Sequence, residues 1–231
     1  MYHRVSGYSE SQASNQLAIL AYFTNTLRQG NYTDSIGQPS KIVHMGLSFG
    51  SVLTTALIAS YPNISDGVAL TGSGFNGTNE GALWEAFRLN IASTVSPGKW
   101  PGRDSGYLTF GDPFANSAIF LHPGMYDREV LLYTQEIRHP LAAMEMVSEA
   151  RLNLLATHFT GPVLVISGEF DFAVCGGNCN GVFQHPAAEI FASAKTFEAV
   201  VHPGVGHGIN FSFNATGAYS VVMDFVAKNG L

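Results

Sequence analysis

Ser48 lies in Gly46-Leu47-Ser48-Phe49-Gly50, a G-x-S-x-G with a short apolar run before it and a helix-like run after it. A serine hydroxyl is a weak nucleophile at neutral pH, so chemistry here needs a base, and the base needs a carboxylate to orient it. Two further stretches qualify. Gly168-Glu169-Phe170-Asp171 follows the apolar run at residues 162–167, and Gly204-Val205-Gly206-His207-Gly208 follows the next one. The order is Ser48, Asp171, His207: nucleophile, acid, base. Such a set carries out acyl transfer, and the backbone N–H of Phe49, at a helix N-terminus, can face a developing oxyanion. A tight turn at Ser48 strains its backbone, and glycines two residues to either side are expected to prevent collision. Glu169 is the rival carboxylate. An exposed serine in an ordinary glycine-rich turn is the rival account of the motif. Of eight histidines, His207 alone sits in a glycine-flanked loop after a strand. His44 and His202, within and at the end of strands, read as structural.

These groups meet only if several strands end together, as in a parallel sheet covered on both faces by helices. Strands are expected at residues 42–43, 66–71, 162–167 and 196–201. Helices are expected at 9–28, opened by a Ser9–Gln12 capping box, from the turn to Tyr61, and at 186–194 and 216–228. Residues 75–157 break the alternation. They hold Trp84, Trp100 and many other aromatics, with helical stretches at 82–92 and 140–155, the second opened by Pro140. This segment reads as a mostly helical insertion, leaving residues 1–74 and 158–231 as the core.

A net charge of −6 argues against a nucleic-acid partner, and no apolar run is long enough to span a bilayer. The two cysteines, Cys175 and Cys179, share a Gly/Asn loop, which fits a local disulfide and makes a poor zinc set. Five N-x-[ST] sequons stand at Asn31, Asn63, Asn76, Asn210 and Asn214, where about two would arise by chance. Residues 1–15 carry no signal peptide. The expectation is a secretory ancestry, with sugar-bearing asparagines, whose leader is missing from this chain.

From residue 9 to residue 228 the chain resembles an α/β-hydrolase, and more narrowly the secreted fungal α/β-hydrolases with a C-x-x-x-C loop after the acid. The resemblance implies the α/β-hydrolase fold, Ser48 as nucleophile, Asp171 as acid, His207 as base and Phe49 as one oxyanion donor. It also implies that residues 75–157 are the cap that roofs the pocket, and that no metal or organic cofactor is needed. It departs from the family at the front. Only 47 residues precede Ser48, and Tyr2 to Ser9 resembles the segment after the family's fourth strand, with His3 in place of the usual aspartate. The earlier strands, and the loop giving the second oxyanion donor, are expected to be absent, an N-terminally truncated fold. The strand before Ser48 should then be an unprotected edge, poorly soluble or open to self-association. The function implied is hydrolysis of a small apolar carboxylic ester, lactone or thioester. The alternative is a catalytically poor hydrolase-like protein that only binds small apolar ligands.

Overall fold

The computed structural model describes residues 5–75 and 80–231. The reading of Tyr2 to Ser9 falls partly outside the described residues, and the sequon at Asn76 wholly so. Four strands run parallel, β1 (Val43–Leu47), β2 (Gly67–Thr71), β6 (Val163–Gly168) and β7 (Phe197–His202), in the spatial order β1-β2-β6-β7. β2 and β6 are buried at every position, as apolar strands paired on both sides and covered on both faces must be. Their side chains alternate between two cores. Val68, Leu70, Val163 and Val165 pack with Ala21 of α1 (Ala13–Arg28), Leu57 and Ile58 of α2 (Phe49–Ser60), and Phe191 just after α9 (Gln184–Ile190). Ala69, Leu164 and Ile166 pack with Ala218, Val222 and Phe225 of α10 (Ala215–Lys228).

β1 differs. Among the described residues it pairs with β2 alone, so it is the edge that the sequence led us to expect. His44 and Gly46 are buried, whereas Met45 and Leu47 are 48% and 37% exposed.

The first helix begins at Ala13, not residue 9. Gln12 is extended and donates its side-chain amide back to the Ser9 carbonyl. The Ala13 N–H is capped instead by Ser148 Oγ, 135 residues away, at 2.9 Å.

Between β2 and β6 lie α3 (Glu80–Phe87), β3 (Leu89–Ile91), α4 (Ala92–Val95), β4 (Tyr107–Phe110), α5 (Pro113–Phe120), α6 (Arg128–Ile137), β5 (Leu141–Ala142) and α7 (Ala143–Glu149). This insertion is mostly helical, but it also contains a small antiparallel sheet, β3-β4-β5, that local patterning did not reveal. The helix expected to continue to residue 92 stops at Phe87, because Arg88 turns into a left-handed conformation at φ 43°. Pro140 opens no helix. It precedes β5, and α7 starts at Ala143, with the Glu145 carboxylate accepting the Ala142 N–H. The insertion has its own core of Ala92, Trp100, Tyr107 and Ala142. The chain's front is tied to it: the Gly7 N–H donates to the Asp104 carboxylate and the Tyr107 hydroxyl to the Val5 carbonyl.

Candidate active site

β1 runs into α2 through a single residue. Ser48 takes φ 54° and ψ −118°, and among the described residues only Arg88 shares a positive φ without being glycine. Such a backbone costs about 1–3 kcal/mol and persists only where the surroundings enforce it. Thr71, at the end of β2, does so. Its carbonyl accepts the Ser48 N–H and the Ser51 hydroxyl, each at 2.9 Å, and its own hydroxyl donates to the Gly46 carbonyl at 2.8 Å. Gly46 is required sterically, since a Cβ there would lie 2.4 Å from the Gly50 backbone. Gly50 is not: a Cβ would meet nothing within 4 Å, so the expected symmetry of the two glycines fails. The N–H groups of Phe49 and Gly50, the first two of α2, make no hydrogen bond among the described residues.

The two residues expected as acid and base, Asp171 and His207, follow the ends of β6 and β7. Asp171 caps α8 (Phe172–Cys175), taking the Val174 N–H on Oδ1 at 2.8 Å and His207 Nδ1 on Oδ2 at 2.8 Å. Both side chains are sealed, Asp171 at 0% and His207 at 2% exposure. Because the carboxylate can only accept, the imidazole proton sits on Nδ1 and Nε2 is the basic nitrogen. Nε2 makes no hydrogen bond among the described residues.

The glycines explain how the loop closes onto the sheet. A Cβ at Gly168 would lie 2.3 Å from the Gly206 carbonyl oxygen, and one at Gly206 would stand 3.0 Å from the His122 nitrogen. The loop is thus wedged between the end of β6 and the C-terminus of α5, whose last residue, Phe120, accepts the Gly208 N–H on its carbonyl at 2.6 Å. Glu169, the rival carboxylate, is occupied elsewhere: its Oε2 accepts the Gly204 N–H at 3.0 Å and so anchors the same loop. Cys175 and Cys179 are joined by a disulfide that closes the turn after Asp171.

Gly72, left-handed at φ 56°, is where the halves meet. A Cβ there would stand 3.0 Å from His207 Cε1 and 3.1 Å from Leu47 Cδ1, the residue beside Ser48. His207 and the Ser48 turn are therefore brought to the same strand ends. The Ser48 hydroxyl itself makes no hydrogen bond, to His207 or to any other described residue. Sequence reasoning missed Gly72 and Thr71 as parts of the site. The signal for both was their place at the end of the strand next to β1.

Three other histidines are used otherwise. His44 bridges the Thr24 and Ser65 hydroxyls at 2.9 and 2.8 Å. Its burial, aided by the Arg28 charge, holds its pKa below the usual histidine value. His202 Nε2 donates to the Asn214 carbonyl, and His122 stacks on Phe170 at 3.9 Å. Two cavities flank the site, and neither is lined by Ser48 or His207. One, of about 190 Å³, borders Met45, Leu47, Tyr219 and Val222. The other, of about 260 Å³, borders His122, Tyr126, Phe170 and Phe172.

No protein-family model matches the chain, and no curated protein matches it in sequence. Solved structures do. A thermophilic esterase from Thermogutta terrifontis superimposes with a TM-score of 0.62 at 18% identity, over 97% of this chain and 78% of that one. A monoacylglycerol lipase from Paleococcus ferrophilus gives 0.58 at 14% identity, over 94% and 76%. The α/β hydrolase GrgF from Penicillium sp. gives 0.59 at 12% identity, over 97% and 78%. The parallel sheet, its flanking helices and these likenesses agree: the chain has the α/β-hydrolase fold.

Proposed function

We propose that the chain is a serine hydrolase that cleaves small apolar carboxylic esters through an acyl-enzyme. The observation that carries this reading is the strained Ser48 turn meeting, at Gly72, a sealed His207–Asp171 pair. His207 Nε2 takes the Ser48 proton as Oγ bonds to the carbonyl carbon. The Phe49 N–H, which has no hydrogen-bond partner among the described residues, stabilises the oxyanion. As the carbon–oxygen bond breaks, the proton passes to the departing alcohol, and water then repeats the sequence to release the acid. Asp171, fixed on both oxygens, holds the ring and stabilises its charged form. A lactone or thioester would follow the same route. Residues 75–157 act as the cap over a core of residues 1–74 and 158–231. The disulfide and the exposed sequon asparagines Asn31, Asn63 and Asn210 support passage through an oxidising secretory compartment.

The fold relatives named above, an esterase and a lipase among them, support the reaction class. A second reading is a poor catalyst that binds small apolar ligands. It is favoured by the unengaged Ser48 hydroxyl and by the bare edge of β1, with the 190 Å³ cavity beside it. Turnover of p-nitrophenyl acetate decides between them. Hydrolysis that Ser48→Ala lowers by on the order of 10³-fold or more supports the hydrolase. Saturable binding of the ester without turnover supports the binder.

A further inference from the structure

Four aromatic side chains of the insertion run in file from solvent to the base. Trp84 lies 5.5 Å from Phe87 between ring centroids, Phe87 5.7 Å from Phe110, Phe110 5.6 Å from Phe120, and Phe120 5.4 Å from the His207 imidazole. None of the four is buried, and Trp84 is 50% exposed. They are not the insertion's interior, which is built separately around Trp100 and Tyr107. Trp84 stands half in water and the other three rings are partly buried, so the file keeps apolar area that a bound group can cover. A file of four incompletely buried rings ending on His207 offers an apolar wall to a group bound beside the imidazole.

The wall is also held in place. Phe87 ends α3, where Arg88 turns left-handed and pairs with Asp112 at 3.1 Å. Asp112 in turn caps α5 through the Ala115 N–H at 2.9 Å, and α5 ends in Phe120. One carboxylate thus ties the two helices that carry most of the rings.

We infer that this wall is the leaving-group subsite and that the substrate is an ester of an arylmethyl alcohol large enough to stack on more than one ring. The inference rests on the proposed triad. It follows from the role of His207, which must hand its proton to the departing oxygen. The group attached to that oxygen therefore lies beside the ring that Phe120 touches, and leaves as the neutral alcohol. Aromatic pairs contribute about 0.5–1.5 kcal/mol beyond area burial, so each ring engaged should count for about twofold to tenfold.

The test compares kcat/KM for 2-naphthylmethyl acetate and n-hexyl acetate. Both release primary alcohols, so the ratio mainly reads recognition of the group rather than a difference in leaving ability. The expected result is a preference for the naphthylmethyl ester of about tenfold or more that falls several-fold in both Trp84→Ala and Phe87→Ala. It should be unchanged in Tyr133→Ala, an exposed ring of α6 outside the file. A ratio near one, or a preference that survives both substitutions, overturns the inference. Should neither ester be turned over, the triad reading fails by itself and the wall is judged by binding alone. In the Ser48→Ala protein, 2-naphthylmethanol should quench tryptophan emission saturably, and several-fold more weakly once Phe87→Ala is added. Absence of saturable quenching, or quenching indifferent to Phe87, overturns it.

Discussion

β6 and β1 each deliver one half of the proposed machinery, and they are built in opposite ways. β6 is paired on both sides, buried at all its positions, and followed by an acid whose two oxygens are both engaged. Among the described residues β1 is paired on one side only, exposes Met45 and Leu47, and leads into a serine whose hydroxyl has no partner there. The acid–base half is over-determined by packing. The nucleophile half rests on Thr71, at the end of the neighbouring strand. How tightly each half is packed therefore follows from how many strands flank its element, not from how close that element lies to the candidate site.

The contrast is sharpest in two glycine substitutions. Gly168→Ala drives a methyl into the Gly206 carbonyl and should destabilise the protein by about 3 kcal/mol or more, taking the His207–Asp171 contact with it. Gly50→Ala, in the first turn of α2 with nothing within 4 Å of its Cβ, should be neutral or stabilising by up to about 1 kcal/mol. Urea denaturation of both variants measures the difference. Equal losses would show that the two halves are equally tight.

The next effect concerns the bare edge. An apolar strand with unpaired N–H and C=O groups and no proline or inward charge is a template for pairing with another chain. The 231-residue chain is expected to self-associate at micromolar concentration, and Met45→Lys should reduce this several-fold by light scattering. Monodisperse wild-type monomer would break the comparison on this side.

The smallest effect is a pH dependence centred on His44, which joins β1 to α1. Burial lowers its folded pKa below the 6.5 of an unperturbed histidine. The unfolded chain therefore binds the extra proton first, so stability is fully present above pH 6.5 and declines as the pH falls below it. The slope from this residue is at most about 1.4 kcal/mol per pH unit. Chemical denaturation from pH 8 to pH 5 should show a shallower decline in His44→Gln. A slope unchanged by that substitution would remove His44 as the cause.

Much of the fold was readable because its signals are local. Apolar runs marked β2, β6 and β7, and the three candidate residues stand directly after strands, where glycines permit tight turns. What escaped reading depends on distant partners. The start of α1 is set by Ser148, and β3 and β5 are too short to carry a period of their own, gaining identity only from pairing with β4. Gly72 follows a strand in sequence, and only the fold sets the His207 ring against it. Phe120 could not be tied to the base at all, because nothing near it in sequence announces the contact.

The central claim, that Ser48 is an activated nucleophile, is tested most directly by a fluorophosphonate probe followed by peptide mapping. The prediction is one adduct per folded chain, carried by Ser48, lost in Ser48→Ala and slowed by on the order of 10³-fold in His207→Gln with the circular-dichroism spectrum unchanged. A folded protein that takes up no probe, or one that is still labelled in Ser48→Ala, would contradict it.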